Sequence, residues 1–381
     1  MIPAFSFEMP RGLYFGPGVR EHLPELIKPL GEKTLVMTGA HWFESSGWKE
    51  QFERLLGRNR AFFLRCAPGE PTIESVNDAV ESARDFGPDV IVGIGGGSVM
   101  DTAKAVSGMI RTGEGVEDYL EGIGKGKTLS RPGIPWVSVP TTSGTGAEVT
   151  KNSVIRSKEK RSKKSLRSPF ILATYAVIDP ELTMTLSRET TGMAGIDALT
   201  QLVESYVSKK SKPLTKALVR DAFPRMLQSL KRLAAEPRDL SARTDAAYGA
   251  LVSGIALANS GLGAAHGFAS GLGGESDIPH GLICAVFLGP VLRYNAPAIR
   301  EQIGELYGLC QKDGRDDPIE WLVGETERLL SDYGLKDSIK KYRIPKTNIS
   351  QIARSSTGSS MSGNPVEMSL DDRERLLLSV L

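Results

Sequence analysis

The amino-acid sequence predicts an α/β domain built on a parallel sheet, followed by an all-helical domain. The first half alternates short apolar runs with helical patterns, whereas no convincing strand pattern appears after Pro180. A chain of 381 residues also exceeds what one small core usually organises, so two domains are expected. We place the boundary at residue 180, which gives an α/β domain at 1–180 and a helical domain at 181–381.

The individual elements follow from the periodicity of the apolar residues. Apolar runs bounded by turn residues predict strands at 34–38, 61–65, 89–94, 136–139 and 175–178. Helical patterns between these runs occupy 75–86 and 99–109. Longer helices are predicted at 193–206, 214–235, 246–259 and 318–333, with a C-terminal run from 370. Strands that alternate with helices favour a parallel sheet covered on both faces.

Composition indicates an ordinary globular protein. Hydrophobic residues make up 40%, charged residues 24%, and the formal net charge is +2. The one dense basic cluster runs from Arg156 to Arg167 and is interpreted as a solvated hairpin or a phosphate contact. No matching basic face accompanies it, so a nucleic-acid partner is not expected.

The cysteine count and the hydropathy pattern indicate the compartment. Three cysteines without metal-type spacing favour reduced thiols in the cytosol. Neither a signal peptide nor an apolar stretch of about 20 residues is recognised, so no membrane partner is expected. We therefore expect a cytoplasmic, soluble protein.

A glycine-rich turn at Gly95-Gly96-Gly97-Ser98 lies between a β-branched run and a helix start. Glycines allow a ligand to approach the backbone closely, and the amides at a helix start favour an anion. Ser98 is expected to cap the helix, with Asp101 returning the hydrogen bond. The alternative is a bare turn that needs glycine for positive φ. The position after at least two earlier strands also departs from the usual dinucleotide fingerprint.

A second candidate loop, at 140–148, combines four hydroxyl side chains with two glycines after another predicted strand. Ligands bind at the carboxyl ends of strands in open α/β sheets. By itself the segment could equally be a polar surface loop.

A possible metal site is indicated by two of the four histidines, His266 and His280, which lie fourteen residues apart. Asp197 and Gln201 share one face of a predicted helix at positions i and i+4. One carboxylate and two imidazoles suit a divalent first-row metal that keeps a position open for substrate. Structural histidines are the alternative, because spacing alone cannot bring separate helices together.

Taken together, these segments resemble the iron-containing (group III) alcohol dehydrogenase family. The matching segments are 13–18, 95–105, 140–150, 179–182, 195–200, 279–281, 288–291, 294–295 and 363–365. They cover nearly the whole chain in the family's order.

The resemblance implies a dehydroquinate synthase-like fold with a dinucleotide-binding domain, a helical domain and a cleft between them. It implies reversible alcohol and aldehyde interconversion by hydride transfer with NAD(P), and a homodimer or higher oligomer. A divalent metal, Fe²⁺ first and Zn²⁺ second, would act as a Lewis acid on the substrate oxygen.

The resemblance also assigns residues. It implies pyrophosphate and nicotinamide contacts at Gly96, Gly97, Ser98 and Asp101, adenine and ribose contacts at Thr141, Thr142 and Thr145, and a ribose contact at Lys163. The implied metal ligands are Asp197, Gln201, His266 and His280, and Asp101, His266 and His280 are the residues expected to act in catalysis.

Three positions depart from the family pattern. Gln201 replaces a usual histidine and is a neutral, weaker donor, which lowers the expected metal affinity. Ser270 stands where many members have a histidine, so a water chain or the nicotinamide ribose hydroxyl would have to relay the proton. Gly39 stands where members that prefer NAD often carry aspartate, which predicts a preference for NADP(H), with NAD also accepted. His41 and Trp42 follow it and could stack on the cofactor or simply fill space.

Three other functions stay open at this point. A metal-independent reductase similar to maleylacetate reductases is favoured by Gln201 and disfavoured by Asp197, His266 and His280. A lyase or cyclase resembling dehydroquinate synthase would share the fold but lack the threonine-glycine loop. A non-catalytic nucleotide-binding homologue would have lost its chemistry at Gln201 and Ser270.

Overall fold

The computed structural model describes residues 2, 4–40, 42–57, 61–311 and 316–381, except for the side chain of Trp42. These residues form two compact units. The sheet unit comprises Met9–Thr142 and Gly146–Thr185, and the helical unit comprises the N-terminal residues up to Glu8, Ser143–Thr145 and Leu186–Leu381. Compact units need not fold independently, so the domain limits 1–180 and 181–381 stay a prediction.

The sheet unit contains the predicted parallel sheet. Its strands are β1 (Gly12–Phe15), β2 (Thr34–Thr38), β3 (Ala61–Arg65), β4 (Val90–Gly95), β5 (Trp136–Pro140) and β8 (Tyr175–Ile178). They lie in the order β1-β8-β5-β4-β2-β3, and every neighbouring pair is parallel. Strands β2, β4 and β5 are buried throughout, which explains their continuous apolar runs. Strand β1 was not predicted, because its four residues are only partly buried and do not form a continuous apolar run.

The basic cluster forms an antiparallel hairpin, as interpreted from the sequence. Its strands are β6 (Asn152–Ser157) and β7 (Ser162–Arg167). The hairpin is not wholly solvated, however, because Lys163 is buried. Neither strand was predicted, because both contain mostly polar residues and show no apolar run.

In the described part of the sheet unit, five α-helices accompany the strands. They are α1 (Leu23–Ile27), α2 (Trp42–Ser45), α3 (Lys49–Leu56), α4 (Ile73–Phe86) and α5 (Gly97–Met109). Helix α5 is buried along almost its whole length and packs against β4. Because β4 leads directly into α5, the turn between them is fixed on both sides.

The helical unit contains the remaining helices. They are α6 (Arg188–Val207), α7 (Pro213–Ala235), α8 (Leu240–Ser260), α9 (Ala264–Glu275), α10 (His280–Cys310), α11 (Pro318–Asp332), α12 (Ile349–Ser355) and α13 (Leu370–Val380). Helices α9 and α10 were not predicted, because α9 is rich in glycine and α10 contains Pro290 and Pro297. Both residue types weaken a helical pattern.

Helix α10 corrects the expectation that no apolar stretch reaches membrane-spanning length. It is long and apolar enough to cross a membrane, but most of its apolar window is buried inside the protein. Phe287 of α10, for example, stacks on Phe268 of α9 with ring centroids 4.7 Å apart. Its apolar character is therefore that of a core helix.

The strand order places three loops side by side. Strands β5, β4 and β2 are neighbours and run in parallel, so their carboxyl ends lie along one edge of the sheet. The chain runs from β2 to β3 on one side and from β4 to β5 on the other, so the strand order reverses between β2 and β4. Open α/β sheets bind ligands at such a reversal.

Candidate functional site

The glycine-rich turn follows β4 and opens α5, but its capping differs from the prediction. The N-cap is Gly96, not Ser98, and no side chain caps the helix. Asp101 instead accepts from the Val154 amide (3.1 Å) and pairs with Lys104 Nζ (3.2 Å). No capping side chain therefore accepts a hydrogen bond from the first helical amides, at Gly97 and Ser98. A helix start of this kind suits an anion.

At Gly95 and Gly96 of the turn, a side chain is restricted by space and not by backbone conformation. None of Gly95, Gly96 and Gly97 has positive φ, which removes the alternative explanation for them. A Cβ at Gly95 would lie 2.5 Å from Val99 Cγ2, and one at Gly96 would lie 3.3 Å from Thr142 Cγ2. The turn is thus packed against the first turn of α5 and against the loop after β5.

The threonine loop is joined to the glycine turn. The Thr141 amide donates to the Gly95 carbonyl (2.9 Å), and Thr141 is buried. Thr142 is half-buried beside Gly96. Thr145 is also half-buried, and it is grouped with the helical unit. The structure therefore brings Thr141 and Thr142 to the glycine turn.

Lys163 lies on β7 with its amine paired to a carboxylate. Its Nζ is 2.5 Å from Glu70 Oε2, and its side chain is nearly buried. The predicted ribose contact therefore stays a prediction, and a competing partner, Glu70, is already present.

The predicted cofactor-selecting position, Gly39, follows β2 and is half-buried. Strand β3 pairs with β2 so that Arg65 is the partner of Thr38, one residue before Gly39. Arg65 is exposed and forms an ion pair with Glu44. His41 lies outside the described residues.

Buried charge accompanies α5 in the sheet unit. Lys104 is fully buried and donates to Thr150 Oγ1 and to the Asn152 carbonyl, both at 2.8 Å. Burial raises the pKa of Asp101 despite its pairing with Lys104. Burial likewise raises the pKa of Glu148 to about 7.

The predicted metal residues converge in the helical unit. His266 Nε2 lies 3.3 Å from Asp197 Oδ1, and His280 Nε2 lies 3.9 Å from the same oxygen. The two imidazole centroids are 5.5 Å apart. Helix α6 supplies Asp197, α9 supplies His266, and His280 is the first residue of α10. Helix α6 thus meets the consecutive helices α9 and α10 at one point.

Close packing of α10 on α6 positions His280. A Cβ at Gly281 would lie 2.6 Å from the Met193 carbonyl oxygen, so only glycine allows this approach. The His280 side chain is 35% exposed, whereas those of Asp197 and His266 are 2% and 5% exposed. The cluster is therefore buried with one accessible side, at His280.

Glu204 was not identified from the sequence, although it holds His266. Its carboxylate lies 2.7 Å from His266 Nδ1 and accepts from the amides of Gly263 and Ala265 at the start of α9. A carboxylate on one ring nitrogen directs the other nitrogen toward a metal. The signal was available, because Asp197, Gln201 and Glu204 share one helical face at i, i+4 and i+7.

Gln201 lies beside the cluster with its amide engaged on both sides. Its Nε2 donates to Asp197 Oδ2 (3.1 Å), and its Oε1 accepts from Ser253 Oγ (2.8 Å). In this orientation the amide oxygen points to Ser253. The assignment of Gln201 as a metal ligand therefore stays a prediction.

Cys284 is the second residue that the sequence analysis missed. Its Sγ lies 3.6 Å from His280 Nε2, and one ligand atom each from Asp197, His266, His280 and Cys284 lie within 4.8 Å of one another. The missed signal is the i, i+4 spacing of His280 and Cys284 on α10. Burial raises the pKa of the Cys284 thiol to about 12.

The chemistry of this donor set fits a divalent cation. Asp197 Oδ1 and His266 Nε2 are buried and make no hydrogen bond. Burial opposes charge on both groups, yet contacts with His266 and His280 lower the pKa of Asp197, and contacts with Cys284 and Asp197 raise that of His266. The carboxylate of Asp197 and the two imidazoles are the donor types that a divalent first-row metal accepts, and buried donor atoms without hydrogen bonds suit such an ion.

Comparisons with known proteins show the family to which the chain belongs. A family model described as iron-containing alcohol dehydrogenase matches residues 10–180, and a model described as the C-terminal part of the Fe-containing alcohol dehydrogenase family matches residues 191–381. Long-chain-alcohol dehydrogenase 1 of Geobacillus thermodenitrificans is 31% identical, over 90% of this chain and 87% of the relative. Choline dehydrogenase of Bacillus subtilis is 34% identical, over 79% of this chain and 75% of the relative.

Solved structures show the same relationship. An alcohol dehydrogenase from Oenococcus oeni has a TM-score of 0.91 at 28% identity, with 99% of this chain and 100% of that chain covered. A 1,3-propanediol oxidoreductase has a TM-score of 0.92 at 27% identity, with both chains covered completely. The chain therefore belongs to the iron-containing alcohol dehydrogenase family and is an NAD(P)-linked oxidoreductase of alcohols and aldehydes.

Proposed function

We propose that this chain interconverts an alcohol and its aldehyde, with NADP(H) as the preferred hydride carrier and a divalent metal held by Asp197, His266 and His280. The observation that carries the proposal is the pair of buried, unbonded atoms, Asp197 Oδ1 and His266 Nε2, 3.3 Å apart. Buried polar atoms without partners are costly, so a site that retains them serves a ligand.

The residues of the two units have separate roles in this proposal. The amides of Gly97 and Ser98 bind the pyrophosphate, and Gly96 leaves room for it. Thr141, Thr142 and Thr145 border the adenine and ribose, and Lys163 reaches a ribose once it leaves Glu70. When bound, the metal supplies Lewis acidity toward the substrate oxygen, and the nicotinamide carries the hydride.

Proton transfer has to proceed without a histidine at position 270. Ser270 lies one turn after His266 on α9 and offers only a hydroxyl group. We therefore assign the proton relay to ordered water or to the nicotinamide ribose hydroxyl.

The proposed preference for NADP(H) rests on the end of β2. Gly39 offers no carboxylate to repel a 2′-phosphate, and Arg65 stands on the neighbouring strand, next to Thr38. Arginine beside this position accommodates the 2′-phosphate in related sheets. Arg65→Ala should raise the KM for NADPH about tenfold and leave the KM for NADH within about twofold.

Steady-state kinetics of Arg65→Ala with both cofactors checks this expectation, and Arg11→Ala serves as a matched control because Arg11 is also exposed. A higher kcat/KM with NADH than with NADPH in the unmodified chain would overturn the cofactor assignment. An equal rise in the KM for NADPH and for NADH in Arg65→Ala would show that Arg65 does not contribute to cofactor selection.

The metal itself is proposed to be Fe²⁺ or Zn²⁺. The family description points to Fe²⁺, and Zn²⁺ accepts the same imidazole and carboxylate ligands. Elemental analysis of protein purified without added metal should find about one equivalent per chain. Activity should disappear on chelation and return on addition of the metal.

A second candidate function, metal-independent reduction, is favoured by one observation. The amide oxygen of Gln201 points to Ser253 and not toward Asp197. Full activity in metal-free protein would support this second function and contradict the first.

We also propose that the protein works in the cytoplasm as a homodimer or higher oligomer on a small alcohol or aldehyde. The three cysteines Cys66, Cys284 and Cys310 are free thiols, in keeping with a reducing compartment. Light scattering of the purified chain tests the oligomeric state, and a monomer at micromolar concentration would contradict it.

A further inference from the structure

We propose that Cys284 is the fourth protein ligand of the metal, so that the site is formed by Asp197, His266, His280 and a thiolate. The inference rests on the metal site of the proposed function and adds a ligand that replaces Gln201. It predicts a sulfur-containing site in this chain.

The separations between donor atoms support this assignment. With bonds of about 2.0 to 2.1 Å to nitrogen and oxygen and about 2.3 Å to sulfur, the ligand atoms of a tetrahedral site lie about 3.3 to 3.6 Å apart. The observed separations are 3.3 Å from His266 Nε2 to Asp197 Oδ1, 3.6 Å from Cys284 Sγ to His280 Nε2, and 3.9 Å from His280 Nε2 to Asp197 Oδ1. The Cys284 sulfur thus already lies at the distance from His280 Nε2 that two ligand atoms of one tetrahedral metal would have.

The contact between Cys284 and His280 follows from their positions on α10. His280 and Cys284 are one helical turn apart, so a helix that presents His280 to Asp197 presents Cys284 on the same face. Cys284 is fully buried, and the Gly281 contact with Met193 sets how closely that face approaches α6. The thiol therefore lies on the metal side of α10.

Gln201, in contrast, has its amide committed elsewhere. Its oxygen accepts from Ser253 Oγ, and its nitrogen donates to Asp197 Oδ2. Rotating the amide would place two acceptor oxygens 3.1 Å apart, at Gln201 and Asp197. We infer that Gln201 positions Asp197 and that Asp197 then presents its other oxygen, Oδ1, to the metal.

Charge balance also favours the thiolate. Coordination requires the deprotonated sulfur, so the Sγ proton passes to solvent as the metal–sulfur bond forms. Asp197 and the Cys284 thiolate then neutralise a divalent cation through its direct ligands, whereas with Gln201 in that place the second negative charge would have to come from Glu204, on the far side of His266. A thiolate also shifts the preference toward softer ions such as Zn²⁺.

Absorption spectroscopy of the Co²⁺-loaded protein tests the inference without reference to activity. Cobalt bound by a thiolate shows an intense sulfur-to-cobalt charge-transfer band in the near ultraviolet, beside the weaker visible bands of any tetrahedral cobalt site. The unmodified chain should show both. Cys284→Ser should keep the visible bands, lose the charge-transfer band, and bind Co²⁺ about tenfold or more weakly.

Three further variants make the result decisive. Cys66→Ser is the matched control, since Cys66 is also buried but belongs to the sheet unit, and it should keep the charge-transfer band. Cys284→Ala provides a second removal of the sulfur if the serine variant does not fold. Gln201→Ala should retain the band, because its oxygen is not a ligand.

The outcomes separate this inference from the proposed function. Visible cobalt bands without a charge-transfer band, or a band that survives in Cys284→Ser or Cys284→Ala, overturn the thiolate ligand alone. A chain that binds no Co²⁺ overturns the metal site and the thiolate together. An unmodified chain without the charge-transfer band, together with loss of the visible cobalt bands in Gln201→Ala, would return the fourth position to Gln201.

Discussion

His266 is the residue on which the metal site depends most directly. One ring nitrogen faces Glu204 at 2.7 Å, and the other faces Asp197 at 3.3 Å. Glu204 also accepts from two amides at the start of α9, so the carboxylate fixes the imidazole and the helix that carries it. Such partners of a ligand often matter nearly as much as the ligand itself.

The first prediction concerns Glu204→Gln, which keeps the size of the side chain and removes its charge. Metal affinity should fall about 10- to 100-fold, because His266 loses the carboxylate that orients it. Competition with a chromophoric chelator measures the change. Glu320→Gln is the control, since Glu320 is an exposed carboxylate paired with Arg293, and it should leave the affinity unchanged. Unchanged affinity in Glu204→Gln would show that His266 is oriented by other contacts.

At the scale of elements, the turn from β4 into α5 depends on close packing. The backbone at Gly95 approaches Val99 so closely that even a methyl group would overlap with it. The same turn carries the helix start proposed for the pyrophosphate. Stability and cofactor binding should therefore change together when this glycine is replaced.

The second prediction is that Gly95→Ala destabilises the protein by about 1 to 3 kcal/mol and weakens cofactor binding, because Val99 and the start of α5 must shift. Denaturant unfolding and NADPH titration measure the two effects. Gly308→Ala is the control, because Gly308 lies on α10 with open space around its Cα. The free energy of unfolding of this variant should rise by up to about 1 kcal/mol. Normal cofactor affinity in Gly95→Ala would separate the turn from the binding site.

Most sheet elements could be predicted from sequence because their burial leaves continuous apolar runs. Strands β2 and β8 begin and end where predicted. The capping of α5 by Ser98 was wrong, because Gly96 caps the helix and Asp101 pairs with Lys104. A local pattern of serine and aspartate cannot reveal that the amide of Val154, which is distant along the chain, also binds the carboxylate of Asp101.

The candidate site was only partly predictable for a similar reason. Asp197, His266 and His280 could be proposed because histidine is scarce and the segments resemble a known family. Glu204 and Cys284 had only helical spacing to mark them, and that spacing becomes informative once α9 and α10 are known to meet α6. Helix α10 was itself hidden by Pro290 and Pro297.

At the scale of the whole molecule, buried carboxylates make stability depend on pH. Burial raises the pKa of Glu148 from 4.5 to about 7. The folded chain therefore binds more protons than the unfolded chain between these values. This contribution to stability is fully present below pH 4.5 and is lost as pH rises toward about 7.

The third prediction is that Glu148→Gln flattens this dependence. The unfolding free energy of the unmodified chain should fall by a few kcal/mol more than that of the variant across the interval, since one pKa unit corresponds to about 1.4 kcal/mol. Denaturant unfolding at several pH values provides the measurement. Glu320→Gln, at an exposed carboxylate, should behave like the unmodified chain. Parallel curves for Glu148→Gln and the unmodified chain would show that Glu148 is charged in the folded state.

The fold carries the proposed function in two separate parts. The sheet unit presents Gly39, the turn at Gly95 and the threonines Thr141 and Thr142 along one edge. The helical unit brings α6, α9 and α10 together around buried donor atoms. The central claim is that these donors bind one metal ion.

The most direct test is anomalous diffraction from a crystal of the metal-loaded protein, recorded at the absorption edge of the bound metal. We expect a single strong peak within about 2.0 to 2.3 Å of Asp197 Oδ1, His266 Nε2 and His280 Nε2. A fully loaded crystal with its peak elsewhere, or with no peak among these three side chains, would contradict the account.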